Sequence, residues 1–191
     1  MEVIKGGKIT AGFTDKRPLS VPAEKRNHIH GAIDIAGGDG LVRSPVDGIA
    51  QGFAIFRAPG GGWDHEKEKR LILDMPWREY FADIFGAIIT IEERRTGRLH
   101  ILAHFWPEVV IDGSSKATVQ FQYDNYLETA KEDRFVSHIL MTKRIEVEKG
   151  DILAPVGNAG FSTGAHVHWE IHHSTKRLDV FEKRVNPEDY L

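Results

Sequence analysis

Thr163-Gly164-Ala165-His166-Val167-His168-Trp169-Glu170-Ile171 sets two imidazoles two residues apart in a run that reads as a strand. Positions i and i+2 of a strand point to the same face, so His166 and His168 look into one shared space. Two such rings can be a pair of metal ligands, or one ligand beside one acid/base group. A chain with ten histidines also yields close pairs by chance, so this pair alone leaves the alternatives open. Upstream, His28-Ile29-His30-Gly31-Ala32-Ile33-Asp34 places a histidine four positions before an aspartate. Neutral imidazole and carboxylate are ligands that zinc accepts in a catalytic site with three protein ligands and one open position. Fully extended, residues 30 and 34 would hold their alpha carbons ~13 Å apart, too far for one small cation, so a bend is expected near Gly31.

The elements that must position these groups read as short strands. Val42 to Phe53 suggests strands around a turn at Pro45 to Gly48, and Gly86 to Ile91 with Leu99 to Phe105 a hairpin closed by Glu92 to Gly97. Ile145 to Gly157 repeats the style, with Lys149-Gly150-Asp151 as its turn. Asp39 and Asp47 sit where turns are expected. Many short strands with tight turns predict a mainly β fold, an antiparallel sandwich or open barrel. Two stretches interrupt the pattern. Residues 57–85 carry a glycine run, a charged run and the aromatics Trp63, Trp77 and Tyr80, and residues 106–144 include a stretch, Tyr123 to Met141, of roughly helical spacing that predicts one or two helices. Both are too short and polar to build a core alone, so they read as insertions in a single domain spanning residues 1–191.

Composition bounds the function. With 191 residues, 41% of them hydrophobic, the chain can bury a sizeable core. A net charge of -3 offers no basic footprint for nucleic acid and no polybasic patch for anionic lipid. The absence of cysteine excludes disulfides and thiolate metal sites. No segment approaches the ~20 apolar residues of a membrane helix, so no membrane insertion is expected, and the N-terminus lacks the apolar run of a signal peptide. His65-Glu66-Lys67-Glu68-Lys69 lacks the second histidine of the helical zinc motif and reads as a solvated charge run. His65, His138, His172 and His173 sit in polar contexts and are expected to be exposed. Leu99-His100-Ile101-Leu102-Ala103-His104-Phe105, if regular, would place His100, Leu102 and His104 on one face.

His30-x-x-x-Asp34, Ala103-His104 at the end of a hairpin strand, and Gly160-Phe-Ser-Thr-Gly-Ala-His166-Val-His168-Trp-Glu together resemble the signature segments of the lysostaphin-type zinc endopeptidases. Those enzymes cut peptide stems or cross-bridges of bacterial peptidoglycan. The likeness extends to Lys8 to Phe13, Ser44 to Ile49, Glu148 to Asn158 and Asn186-Pro187. It implies the family's duplicated hybrid motif fold, one Zn2+ per chain held by His30, Asp34 and His168, and an unligated catalytic pair, His104 and His166. In that arrangement a metal-acidified water needs no glutamate base, since the two imidazoles handle protons and the oxyanion. A register using His28 would put six positions before Asp34, off the motif. The two insertions, longer than the family's usual loops, would reshape the walls of the groove.

The implied function is therefore metal-dependent hydrolysis of peptidoglycan peptides, with the cell-wall peptide as partner. A non-catalytic peptidoglycan-binding or regulatory domain of the same fold is the alternative, and the presence of all five residues argues for activity. Sugar-phosphotransferase carrier domains share the architecture and paired histidines, yet have no use for Asp34 beside His30. A bacteriophage product is expected, either a tail-associated enzyme with virion partners or a released lysin; an excised bacterial domain is the alternative.

Overall fold

A computed structural model describes residues 2–13, 30–56, 86–106, 123–128, 138–160, 162–175 and 184–191, and at 54–56, 123–128 and 138–140 only the backbone. Their strands are β1 (Gly7–Ala11), β2 (Ile33–Gly37), β3 (Leu41–Arg43), β4 (Gly48–Phe56), β5 (Ala87–Glu93), β6 (Leu99–Phe105), β7 (Tyr123–Glu128), β8 (His138–Thr142), β9 (Ile145–Val147), β10 (Ile152–Pro155) and β11 (Val167–His172). The main sheet runs β1-β2-β11-β6-β5-β4-β8-β7, with β9 also on β4, and β3 pairs with β10 in a separate ribbon. Every one of these pairings is antiparallel, as the succession of short strands and tight turns predicts.

Alternation along the central strands separates two apolar clusters. Ile33 and Ile35 of β2, Trp169 and Ile171 of β11, Leu102 of β6 and Ile89 and Ile91 of β5 face one side, where Val42 of β3 and Leu153 of β10 join them. Ile88, Leu99, Ile101 and Ala103 form a smaller cluster with Phe53 on the other side. That second side also carries Asp34 and His168, because directly paired residues share a face and His168 pairs with both Asp34 and Ala103. The turn after β2 is built on Gly37, Gly38 and Gly40, all at positive φ. Asp39 there accepts from Leu41 N and pairs with Arg43.

The helix expected within Tyr123 to Met141 does not form in the described part of that stretch. Tyr123–Glu128 and His138–Thr142 are antiparallel strands, with Tyr126 opposite Leu140, and β8 continues onto β4 with Ile139 opposite Ile55. Strand β4 supplies the physical reason: its distal half pairs with β8, and a helix in that place would leave those backbone donors and acceptors without ladder partners. Apolar residues in adjacent pairs, Tyr126-Leu127 and Ile139-Leu140, fit a helical stripe and a paired strand equally well. Among the described residues the helical element is a single 3-10 turn, Pro187–Tyr190, capped by Asn186, whose side chain accepts from Glu188 N.

His100 and His172 are both fully buried, the latter against expectation. His100 lies against Trp169 (ring centroids 5.9 Å) and Tyr190 (5.0 Å), and its Nδ1 accepts from the Trp169 indole. Its Nε2–H therefore faces Glu93 at 3.6 Å, a buried carboxylate that accepts from Thr96 and Tyr190. Burial pushes the His100 pKa down to about 4, with Glu93 opposing. An unfolded chain takes up this proton near 6.5, so acid favours unfolding between 6.5 and about 4. His100→Gln is accordingly expected to flatten the loss of stability over that range, which reaches at most about 1.4 kcal/mol per pH unit for one group. Urea denaturation at stepped pH checks this, and parallel pH profiles for variant and parent would contradict it.

Candidate metal centre

Strand register brings the upstream and downstream motifs together. Asp34 on β2 lies directly opposite His168 on β11. His30 precedes β2 across a bend at Ala32, in keeping with the bend expected near Gly31, and the ring returns to 3.4 Å from the Asp34 carboxylate. His30 Nε2, His168 Nδ1 and Asp34 Oδ1 lie 3.3, 2.8 and 3.4 Å apart, pair by pair. Ligand atoms ~2.0–2.1 Å from a tetrahedral zinc are separated by about 3.3–3.4 Å, which two edges of this triangle match, while the His168–Asp34 edge has closed to the length of a hydrogen bond. His28 lies outside the described residues.

The partners on the far side of each ring bear on which nitrogen carries the lone pair. His30 Nδ1–H donates to Gly12 O (3.2 Å), a carbonyl that can only accept, which puts the lone pair on Nε2. His168 lies between two carboxylates, with Nε2 2.9 Å from Glu170 Oε1 and Nδ1 2.8 Å from Asp34 Oδ1; when the neutral ring keeps its proton toward Glu170, the lone pair is on Nδ1. Two lone pairs and a carboxylate oxygen therefore converge, and they repel unless a positive charge sits among them. A proton or a metal ion meets that demand. Burial works to raise the Asp34 carboxyl, but without a metal ion a proton shared with the facing nitrogens of His168 and His30 outweighs it and holds the carboxyl well below the usual range. Burial likewise disfavours a charged His168, yet Asp34 and Glu170 raise its pKa. The donor set, two imidazoles and one carboxylate, is what zinc accepts while keeping a position open. His30, Asp34 and His168 form a group able to hold a metal ion.

His104 reaches this face by an irregularity that sequence spacing conceals. Leu102 pairs with Ile89 but Phe105 with Ala87, so three steps along β6 match two along β5. His104 occupies this bulge at φ 72°, a conformation that side chains beyond glycine seldom adopt. A regular strand would have sent His104 to the Leu102 face, with His100, as expected; the bulge turns it to the opposite side. There its ring centroid lies 4.6 Å from that of His166 and 5.9 Å from that of His168. Nδ1–H donates to Ala159 O (2.8 Å), placing the lone pair on Nε2. Burial, with the neighbouring His168 and His166, pushes the His104 pKa down to about 3, so the ring is neutral near pH 7. Gly157 permits this packing, since a Cβ there would sit 2.1 Å from His104 O.

His166 precedes β11 rather than lying within it, yet it stays beside the site. Its Nδ1–H donates to Gly164 O (2.7 Å), with Ser162 Oγ 3.1 Å away, and its Nε2 lies 3.8 Å from Asp34 Oδ1. All five histidine and aspartate positions singled out by sequence thus gather at one place. Two further residues belong to the assembly and were not anticipated. Buried Glu170 accepts from His168 (2.9 Å) and Arg184 (2.7 Å) on Oε1 and from His172 (3.0 Å) on Oε2. The alternation His168, Glu170, His172 was a usable signal for the glutamate; nothing in the sequence pointed to Arg184.

No protein-family model matches the chain, and no curated protein is similar in sequence. Among solved structures, the lysostaphin catalytic domain from Staphylococcus simulans aligns at 17% identity and TM-score 0.49, covering 97% of this chain and 92% of that one. Whole lysostaphin aligns at 16% identity and TM-score 0.48 over 96% of this chain, which spans about half, 48%, of its length. A zinc-containing peptidase from Vibrio cholerae aligns at 20% identity and TM-score 0.49, covering 96% of this chain and 37% of that one.

Removing one donor from the triangle should be visible in metal affinity alone. Zinc titration of chelator-stripped protein is expected to find one ion per chain, with Asp34→Ala and His168→Ala weaker by about 100-fold or more. Wild-type affinity in Asp34→Ala would contradict the donor set.

Proposed function

We propose that this chain is a zinc-dependent endopeptidase that hydrolyses peptide bonds in peptidoglycan stems or cross-bridges. In this reading His30, Asp34 and His168 hold the metal, His104 and His166 are the catalytic residues, and residues 1–191 form one domain with insertions at about 57–85 and 106–144. The observation that carries it is the three-donor triangle with two more imidazoles on the same side, their lone pairs directed by carbonyls of Ala159 and Gly164. The class of substrate comes from the motif resemblance.

A zinc ion in the triangle would supply Lewis acidity and lower the pKa of a water in its open position. His166, half-buried and 3.8 Å from Asp34, is placed to accept the proton of an attacking water at Nε2. His104, kept neutral by burial, offers a second acceptor at Nε2; it can donate there only after taking over the one proton released by the attacking water, directly or from His166, and that proton then goes to the leaving amine. Glu170 is not the base: its two oxygens already accept from His168, His172 and Arg184. The bond cleavage thus needs proton handling by two histidines that share a wall of the site.

Purified protein incubated with cell-wall sacculi, with and without chelator, and followed by mass analysis of released fragments, tests the activity. New amine termini that disappear with chelator and return with zinc are expected; zinc bound at one per chain without new termini would favour a binding role. His104→Ala and His166→Ala should keep zinc and lose about 10²- to 10⁴-fold in turnover. Loss of zinc from either variant would move that histidine into the ligand set.

A further inference from the structure

Behind the metal triangle lies a second layer that the motif resemblance does not account for. Glu170 is fully buried two residues beyond His168 on the same face of β11, and its Oε1 is shared by the His168 ring and the Arg184 guanidinium. His172, also buried, holds Oε2. A structural ion pair between Glu170 and Arg184 would need no imidazole, yet two imidazoles are spent on this carboxylate. The bond to His168 lies on the ring nitrogen opposite the one that faces Asp34 and His30.

We infer that Glu170 is a positioning residue for the metal centre, held ionised and oriented by Arg184 and His172. The inference rests on His168 being a zinc ligand. By accepting from Nε2–H, the carboxylate fixes the ring's rotation and keeps its proton away from Nδ1, the atom that must offer a lone pair. A carboxylate acceptor also makes Nδ1 a stronger donor than a neutral acceptor would. Asp34 competes for the same ring, because its Oδ1 lies 2.8 Å from Nδ1 and would hold a proton there. Glu170 on the opposite nitrogen counters that competition. Arg184, 2.7 Å from Oε1, supplies the opposite charge that a carboxylate needs in a dry interior. Arg184 also reaches Gly31 O (3.4 Å), next to His30, so the same side chain ties the second layer to the segment carrying the other imidazole ligand.

The test is zinc affinity set against the stability of the metal-free protein. Glu170→Gln combined with Arg184→Gln removes both charges together and leaves no buried charge unpaired. This double variant is expected to melt cooperatively without metal and to bind zinc about 10- to 100-fold more weakly in competition with a chromophoric chelator. Glu170→Asp, which keeps the charge opposite Arg184 but withdraws it from His168 by one methylene, should show the same loss if the double variant fails to fold. Wild-type zinc affinity in a folded form of either variant would overturn the role of Glu170. An Asp34→Ala variant run alongside separates the two levels. If it too binds zinc like the parent, the ligand assignment itself falls; if it is weakened while the Glu170 variants are not, only the positioning role falls.

Discussion

The period-two alternation of β11 is the constraint on which the rest of the structure depends. Six residues, Val167–His172, serve two environments at once. Val167, Trp169 and Ile171 enter the larger apolar cluster, while His168, Glu170 and His172 line the opposite face. A slip of one residue in register would exchange the two sets, burying three polar side chains among isoleucines and sending Trp169 to the site. Pairing on both edges opposes such a slip, because β2 and β6 each fix β11 independently. The indole of Trp169 thus helps hold His168 in place without touching the metal triangle.

The site then works by driving similar side chains in opposite electrostatic directions. His168 lies between two carboxylates, Asp34 and Glu170, and is raised; His104 is driven down to about 3 by burial and the neighbouring His168 and His166, against the opposing bond to the Ala159 carbonyl. One imidazole is surrounded by negative charge, which suits contact with a cation; the other stays neutral, which suits accepting and returning a proton. The difference follows from which backbone and side-chain acceptors each ring meets. Backbone strain contributes too, since the unusual φ at His104 is held by the β6 bulge and by the loop that packs through Gly157 and Ala159.

Much of this was legible in the sequence, for physical reasons that differ by residue. The strands and their turns followed from glycines, β-branched residues and alternation, while the five histidine and aspartate positions that the fold gathers were picked out together by the family resemblance. What failed was information carried by long-range pairing. The Tyr123 to Met141 stretch has apolar pairs that satisfy two periodicities, and the edge of β4 decided between them. His104 required a bulge whose signature lies in the register against β5, not in the heptapeptide itself. His172 looked exposed because its sequence neighbours are polar, yet Glu170 and Arg184 give it a buried polar setting. Arg184 reaches the site from beyond the end of β11, and no local pattern announces such a partner.

The central claim is that three named atoms share one metal ion. Anomalous diffraction at the zinc edge from crystals of the zinc-loaded protein tests it most directly. A single peak about 2.0–2.2 Å from each of His30 Nε2, His168 Nδ1 and Asp34 Oδ1, with the Nε2 of His168 still turned to Glu170, is the predicted result. A peak elsewhere, or one in which His168 binds through Nε2, would contradict the account.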